Sequence, residues 1–91
     1  MNSAKYTNGT TSQQILSTSG KVYGIIVNSH TSGTFKLWDA LTATGNVVVN
    51  TYTLPAAGSQ IIMFPAPIEL YTGLFITVGG TMDYTIIARA N

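Results

Sequence analysis

The side chains that could carry out acid–base or metal chemistry are few in this chain. The sequence contains one histidine, His30, three carboxylates, Asp39, Glu69 and Asp83, and no cysteine. A glycosidase pair needs two carboxylates within about 10 Å of each other, and nothing in the spacing of these three indicates such a pair. One histidine with one or two carboxylates leaves too few ligands for a transition-metal site. We therefore expect no metal and no cofactor.

Nucleophilic catalysis is equally unsupported by the sequence. Ser29 or Ser32 could be combined with His30 and Asp39 into a triad, but no elbow motif surrounds either serine. His30 lies among turn residues and is predicted to be a surface histidine in a loop. Asp39 is expected to hydrogen-bond the backbone of the loop that follows it. The sequence therefore predicts a protein that is not an enzyme.

Two glycines in succession, Gly79 and Gly80, could suggest a phosphate-binding loop. The Lys-Ser/Thr pair and the helix that such a loop requires do not follow them. The pair is instead typical of a tight hairpin turn.

Charge is scarce throughout the chain. Only 8% of the 91 residues are charged, against about 25% in an ordinary soluble domain. The four Lys and Arg residues are spread from one end to the other, so they form no basic patch for nucleic acid and no stripe for an anionic membrane. The 45% hydrophobic content also excludes intrinsic disorder.

The size of the chain favours association with other copies. A domain of 91 residues buries only about 60–68% of its unfolded surface, and small domains usually need disulfides, a metal or oligomerisation for support. Because the first two are not expected, the sequence predicts a homo-oligomer.

Apolar residues alternate with polar ones along most of the chain, which is the period of a β-strand. No segment has a sustained helical period. The pattern predicts an all-β fold, an antiparallel β-sandwich of jelly-roll type with six to eight short strands. Turns are expected at 30–33, 55–58 and 79–80, and residues 65–67, which include two prolines, must form a loop or an edge. The predicted strands are 15–18, 21–29, 34–40, 46–54, 60–64, 68–71, 74–78 and 82–90.

The first fourteen residues are polar and differ from the rest. They are predicted to form an N-terminal arm, with a single β-sandwich domain over 15–91. The arm is either a frayed terminus or a segment that lies along a neighbouring subunit, with Tyr6 as its anchor. It lacks the apolar region of a signal peptide, and no apolar run reaches the roughly 20 residues of a membrane span. The protein is therefore expected to be made in the cytoplasm and to have no membrane partner.

Three aromatic residues are candidates for contact with a partner: Tyr6, Trp38 and Tyr71. Trp38 shares its strand face with Lys36, so it points outward if Phe35 and Leu37 face the core; the opposite register would bury Trp38. Tyr71 stands at a bend before a glycine. Tyr52 and Tyr84 are expected to take part in ordinary cross-strand packing.

Four segments carry a resemblance to a known class of protein: 22–29 (VYGIIVNS), 32–39 (SGTFKLWD), 50–55 (NTYTLP) and 73–81 (GLFITVGGT). Together they resemble small β-sandwich structural proteins of tailed bacteriophages, including cyanophages, over about residues 20–88. The resemblance is a pattern of strands and turns, and no functional residue is carried over from it. It implies a protein on the capsid surface of the virion that binds the major capsid protein, often as a trimer.

These observations together predict a non-enzymatic virion structural protein that decorates and cements the outer surface of a phage capsid. The alternative is a carbohydrate-binding or other structural module of a phage tail or fibre, in which Trp38 stacks on a sugar ring.

Overall fold

The computed structural model describes residues 4–55 and 59–91, and this part of the chain contains strands and no helix. All strand pairs are antiparallel. The predicted all-β, sandwich-like fold is confirmed, with six strands. They are β1 (Lys5–Gly9), β2 (Gln13–Leu16), β3 (Gly20–Asp39), β4 (Asn46–Thr53), β5 (Gln60–Leu70) and β6 (Leu74–Ala90).

Two of these strands are long and pair with each other over almost their whole length. β3 has 20 residues and β6 has 17, and their pairing runs from Gly20 opposite Ala90 to Trp38 opposite Phe75. β1 and β5 flank one half of this ribbon, and β2 and β4 flank the other half. The result is two four-strand layers, β1-β6-β3-β5 and β2-β6-β3-β4, joined through the two long strands.

The ribbon bends where two turns were predicted. Residues 30–33 lie inside β3, and Gly79–Gly80 lies inside β6. Neither segment ends a strand, so these two turn predictions are wrong. The register shifts between Thr31 and Thr34, and both Ser32 and Gly80 have positive φ, 52° and 71°. A bulge of this kind bends the strands without ending the ladder. For this reason the ribbon replaces four of the short strands expected from the sequence.

The core lies between the two layers, on the inward faces of the long strands. In β3 the alternation places Ile25 and Leu37 inward, and in β6 it does the same for Ile76 and Ile86; all four are fully buried. This shared interior holds the two halves of the ribbon together. The buried hydrophobic residues are Val22, Ile25, Val27, Phe35, Leu37, Leu54, Leu70, Leu74, Ile76, Met82, Tyr84, Ile86 and Ala88.

The prolines and the N-terminal residues lie at the edges of the fold. Among residues 4–55 and 59–91, β5 pairs only with β3, so Pro65 and Pro67 are on an edge strand, as expected. Residues 5–9, which belong to the predicted arm, form β1 and pair with β6 of the same chain. Residues 56–58 of the turn predicted at 55–58, and residues 1–3 of the arm, lie outside the described residues.

Candidate functional site

Asp39 fastens the turn between β5 and β6. Its carboxylate is buried and accepts hydrogen bonds from the backbone N–H groups of Tyr71 at 3.0 and 3.1 Å, Thr72 at 2.9 Å and Gly73 at 3.4 Å. Asp39 therefore bonds a distant turn and not the loop that follows it, contrary to the sequence-based expectation. The turn lies beside Asp39 because β3 and β6 run antiparallel, so that the end of β3 meets the beginning of β6.

These hydrogen bonds fix the protonation state of Asp39. Burial by itself raises the pKa of this carboxyl, but the three N–H groups of residues 71–73 more than offset that effect, and the pKa lies below its ordinary value. The carboxylate is charged at neutral pH, and its oxygens are occupied by the backbone. Asp39 therefore positions a turn, and its geometry is not that of a general acid or base.

The turn that Asp39 holds and the loop between β3 and β4 beside it present an exposed, uncharged surface, here called the tip, which consists of Leu41, Thr42, Thr44, Tyr71 and Thr72. Tyr71 is 80% exposed and Leu41 is 42% exposed. The backbone of the loop between β3 and β4 is also held, since Gln14 donates to the Leu41 carbonyl at 3.1 Å and the Thr44 N–H donates to the Thr42 carbonyl at 2.8 Å. An exposed aromatic on a fixed backbone loses little entropy on binding.

His30 is not the surface loop histidine that the sequence suggested. It lies in β3 at the bend and is buried, and its Nδ1 accepts the backbone N–H of Gly33 at 3.1 Å. The expectation failed because residues 30–33 form a bulge packed against Leu54, whose N–H bonds the Gly33 carbonyl at 3.0 Å. A buried ring whose nitrogen is used in this way has a structural role. His30 lies at the bend in the middle of β3, whereas Asp39 is the last residue of β3, so the residues of the conceivable triad are not brought together.

The other two carboxylates are also apart from His30. Glu69 forms an ion pair with Lys21, 3.2 Å between Oε1 and Nζ, and accepts a hydrogen bond from Asn91 at 3.1 Å. The bonds from Asn91 and Lys21 lower the pKa of Glu69. Asp83 is exposed on β6. Within residues 4–55 and 59–91, no three His, Asp or Glu side chains are grouped as metal ligands would be.

Trp38 lies on the outer side of its layer. Phe35 and Leu37 are buried while Trp38 is only partly buried, which decides between the two registers that the sequence left open. The Lys36 ammonium lies 4.3 Å from the centroid of the indole ring, a cation–π contact. The indole N–H donates to Thr77 at 3.3 Å. One face of Trp38 is therefore already occupied.

A second exposed surface lies on the other layer. One row across the layer consists of four residues that pair in sequence across the strands: Tyr6 in β1, Ile87 in β6, Gly24 in β3 and Met63 in β5. In the next row, Ile26 pairs with Ile61. Residues that pair directly across strands share a face, so these side chains lie together. We call this surface, which consists of Tyr6, Gly24, Ile26, Ile61, Met63 and Ile87, the outer face.

Three of its side chains are well exposed, Tyr6 at 72%, Ile61 at 67% and Met63 at 50%. Sequence reasoning identified Tyr6 but missed Ile61 and Met63. The alternation in β5 separated them from Ile62 and Phe64, but a strand with apolar residues on both faces does not show which face is inside.

Tyr52 and Tyr84 pack against neighbouring strands, as expected, although Tyr52 is partly open to solvent. Tyr52 stacks on Phe35 with ring centroids 5.4 Å apart. Tyr84 is buried; its hydroxyl donates to the Thr11 carbonyl at 2.7 Å and accepts from Gln13 at 2.9 Å. Burial raises the pKa of Tyr84 more than the bond from Gln13 lowers it. This contact ties residues 11–13 of the predicted arm to the core.

No protein-family model, curated protein or solved structure matches this chain. In the part of the chain that the structure describes, no helix is long and apolar enough to cross a membrane.

Proposed function

We propose that this protein is a non-enzymatic virion structural protein that decorates and cements the outer surface of a phage capsid. Its partners are the major capsid protein and other copies of itself, and the resemblance to small phage β-sandwich proteins makes a trimer the expected assembly. It is made in the host cytoplasm and resides on the virion.

The observation that carries the proposal is the tip, an uncharged aromatic surface on a turn fixed by a buried carboxylate. Tyr71 is 80% exposed, although its backbone N–H is bonded to both oxygens of Asp39. A side chain of this size is costly to leave in water, and the hot spots of protein interfaces are enriched in rigid tyrosines. The tip therefore has the composition of a surface that docks on another protein.

The scarcity of charge supports the same function. A cement protein binds a large repeated surface through many weak contacts, so its total affinity comes from multivalency. Contacts without ion pairs are little affected by salt. The tip contains no charged side chain among Leu41, Thr42, Thr44, Tyr71 and Thr72, so binding through it is expected to persist at high ionic strength.

The experiment is to detect the chain in purified virions by mass spectrometry and then to bind the recombinant protein to heads that lack it. Tyr71→Ala is expected to weaken binding by about 2 kcal/mol per contact, roughly thirtyfold in Kd. Tyr71→Phe and the distant exposed change Thr51→Ala serve as controls and should retain most of the affinity. Absence of the chain from virions, together with no binding to heads, would refute the proposal.

The alternative function, a carbohydrate-binding or other module of a tail or fibre, is supported less well. Stacking on a sugar requires an open aromatic face, and Lys36 covers one face of Trp38. A glycan array distinguishes the two proposals: a cement protein gives no signal, whereas a lectin gives one that Trp38→Ala removes.

A further inference from the structure

The outer face has the organisation of a protein interface. Its centre is apolar, with Ile26, Ile61, Met63 and Ile87 around Gly24. One border is a row of hydrogen-bonded polar side chains, in which Asn28 donates to Thr85 at 3.3 Å and Thr85 donates to Asn8 at 2.6 Å. The other border is a charged row. An apolar centre with a polar rim is typical of surfaces that bind another protein.

The charged border is complementary to itself. Arg89 in β6, Lys21 in β3 and Glu69 in β5 lie side by side in one row. Two copies can pack their outer faces together about a two-fold axis that lies between them, parallel to β3. In that arrangement, β5 of each copy faces β6 of the other. The glutamate of each copy then lies opposite the arginine of the other copy, while each Lys21 keeps the 3.2 Å ion pair with its own Glu69. A strongly acidic or strongly basic partner would find no such match.

The same arrangement suits the apolar centre. Gly24 lies on the axis and is buried beneath the Met63 of its own copy, whose Sδ is 2.6 Å from the position of a Cβ. Met63 of one copy covers Ile87 of the other, and Ile61 of one copy lies opposite Thr85 of the other. Three strands are about 14 Å wide and nine residues of β3 are about 30 Å long, which gives an outline of about 420 Å². Tyr6 lies on β1, one strand beyond this outline, where it faces no strand of the other copy because β5 is an edge. The outline is smaller than the roughly 600–1,000 Å² that each partner buries in a standard interface, and it is that of a weak interface.

We propose that a second copy of this chain docks on the outer face, formed by Tyr6, Gly24, Ile26, Ile61, Met63 and Ile87. The net charge of +1 produces little repulsion between copies. The modest area predicts micromolar self-association. This inference does not depend on the proposed function, because it concerns the purified chain alone and a surface separate from the tip. The two-fold contact pairs two copies and is a different contact from the three-fold one that joins the subunits of a trimer.

Sedimentation velocity from about 1 µM to about 1 mM tests the inference. The wild-type chain is expected to form an oligomer, and Ile61→Asp and Met63→Asp should each weaken association more than about a hundredfold, because each would bury an unpaired charge. Tyr71→Asp, at the tip, is the matched control and should associate like the wild type. Thermal unfolding of each variant shows that it is folded. A wild-type monomer at every concentration, or an oligomer that both outer-face variants leave intact, overturns the inference.

A disulfide experiment tests the two-fold arrangement, since the chain has no native cysteine. Met63→Cys and Ile87→Cys, mixed as single variants and oxidised, are expected to form a mixed disulfide in preference to either homodimer. A mixture of Met63→Cys with Tyr71→Cys is the control. Equal cross-linking in the two mixtures contradicts the arrangement.

Discussion

Two places along the β3–β6 ribbon, the bend at its middle and the open end where β3 stops at Asp39, are held by different means. At the bend, the chain turns through backbone geometry: Ser32 and Gly80 have positive φ, and His30 Nδ1 accepts a hydrogen bond from the Gly33 N–H. At the open end, the buried carboxylate of Asp39 accepts hydrogen bonds from three successive N–H groups of residues 71–73. The bend thus depends on conformations that few residues adopt, whereas the open end depends on one charge.

This difference explains where the protein can present a binding surface. The bend keeps the ladder continuous, and the backbone there is used for pairing and packing. At the open end, the backbone N–H groups of residues 71–73 bond the Asp39 carboxylate and not a neighbouring strand. The side chains of Leu41 and Tyr71 are exposed to solvent there. A buried acceptor satisfies several N–H groups at once, so a turn can be rigid and still be exposed.

The largest effect is expected from Gly80→Ala at the bend. Gly80 has a φ of 71°, and a Cβ there would overlap the Ser32 carbonyl oxygen. The positive φ costs about 1–2 kcal/mol and the overlap about 1–3 kcal/mol, so we expect a loss of about 3 kcal/mol in the free energy of unfolding. Urea denaturation measures this loss.

Gly45→Ala is the matched control, because Gly45 also has a positive φ but its Cβ would lie 3.7 Å from its nearest neighbour, Ala40. It is expected to lose only the conformational part, about 1 kcal/mol. If the two variants lose the same stability, close backbone packing does not define the bend.

Asp39→Ala is expected to have the next largest effect. It leaves the N–H groups of Tyr71, Thr72 and Gly73 without their acceptor, and we expect a loss of about 2–3 kcal/mol. Hydrogen exchange at these three amides should rise with it. Asp83→Ala, which removes an exposed carboxylate, should change stability by less than about 0.5 kcal/mol. Unchanged exchange at residues 71–73 would show that Asp39 does not hold the tip.

The acid dependence of stability distinguishes the bend from the open end further. The pKa of Asp39 is lowered in the folded state from 3.8, so its contribution is complete above that value and is lost as the pH falls through the lower, folded pKa. Asp39→Asn should therefore flatten the stability curve below about pH 4. Because Glu69 also has a lowered pKa, the comparison is made in a Glu69→Gln background. An unchanged acid limb in Asp39→Asn would contradict the charge-based account of the open end.

The smallest effect is expected from Ser32→Gly. Ser32 has a φ of 52°, where glycine avoids a strain of about 1–2 kcal/mol but loses about 0.5–1 kcal/mol through the flexibility of the unfolded chain. The net result is a gain of about 0–1.5 kcal/mol in the free energy of unfolding. A clear loss would mean that the serine side chain contributes to the bend. Measured beside Gly80→Ala, it shows whether both positive-φ residues limit the stability of the bend.

The sequence permitted prediction of the all-β class and of most residues that lie in strands, because alternation of apolar and polar residues is a local property. It also indicated Tyr6 and Tyr71 as exposed candidates. It did not predict β1 (Lys5–Gly9), which lies within the residues expected to form an arm. It did not reveal the bend, since Ser32-Gly33 and Gly79-Gly80 have the same composition in a bulge as in a hairpin turn. It missed the role of Asp39, because the three N–H groups that Asp39 accepts lie more than thirty residues away along the chain.

By itself, then, the sequence determined the strand-forming pattern, the low charge, the absence of cysteine and the supply of exposed tyrosines. The tertiary structure decided which of two apolar faces is inside, that β3 and β6 run on through the bend, and that Asp39 holds Tyr71 at the tip. The physical reason is that strand propensity depends on neighbours along the chain. Burial and hydrogen-bond partners depend on which strands pair, and that pairing is set by contacts between distant residues.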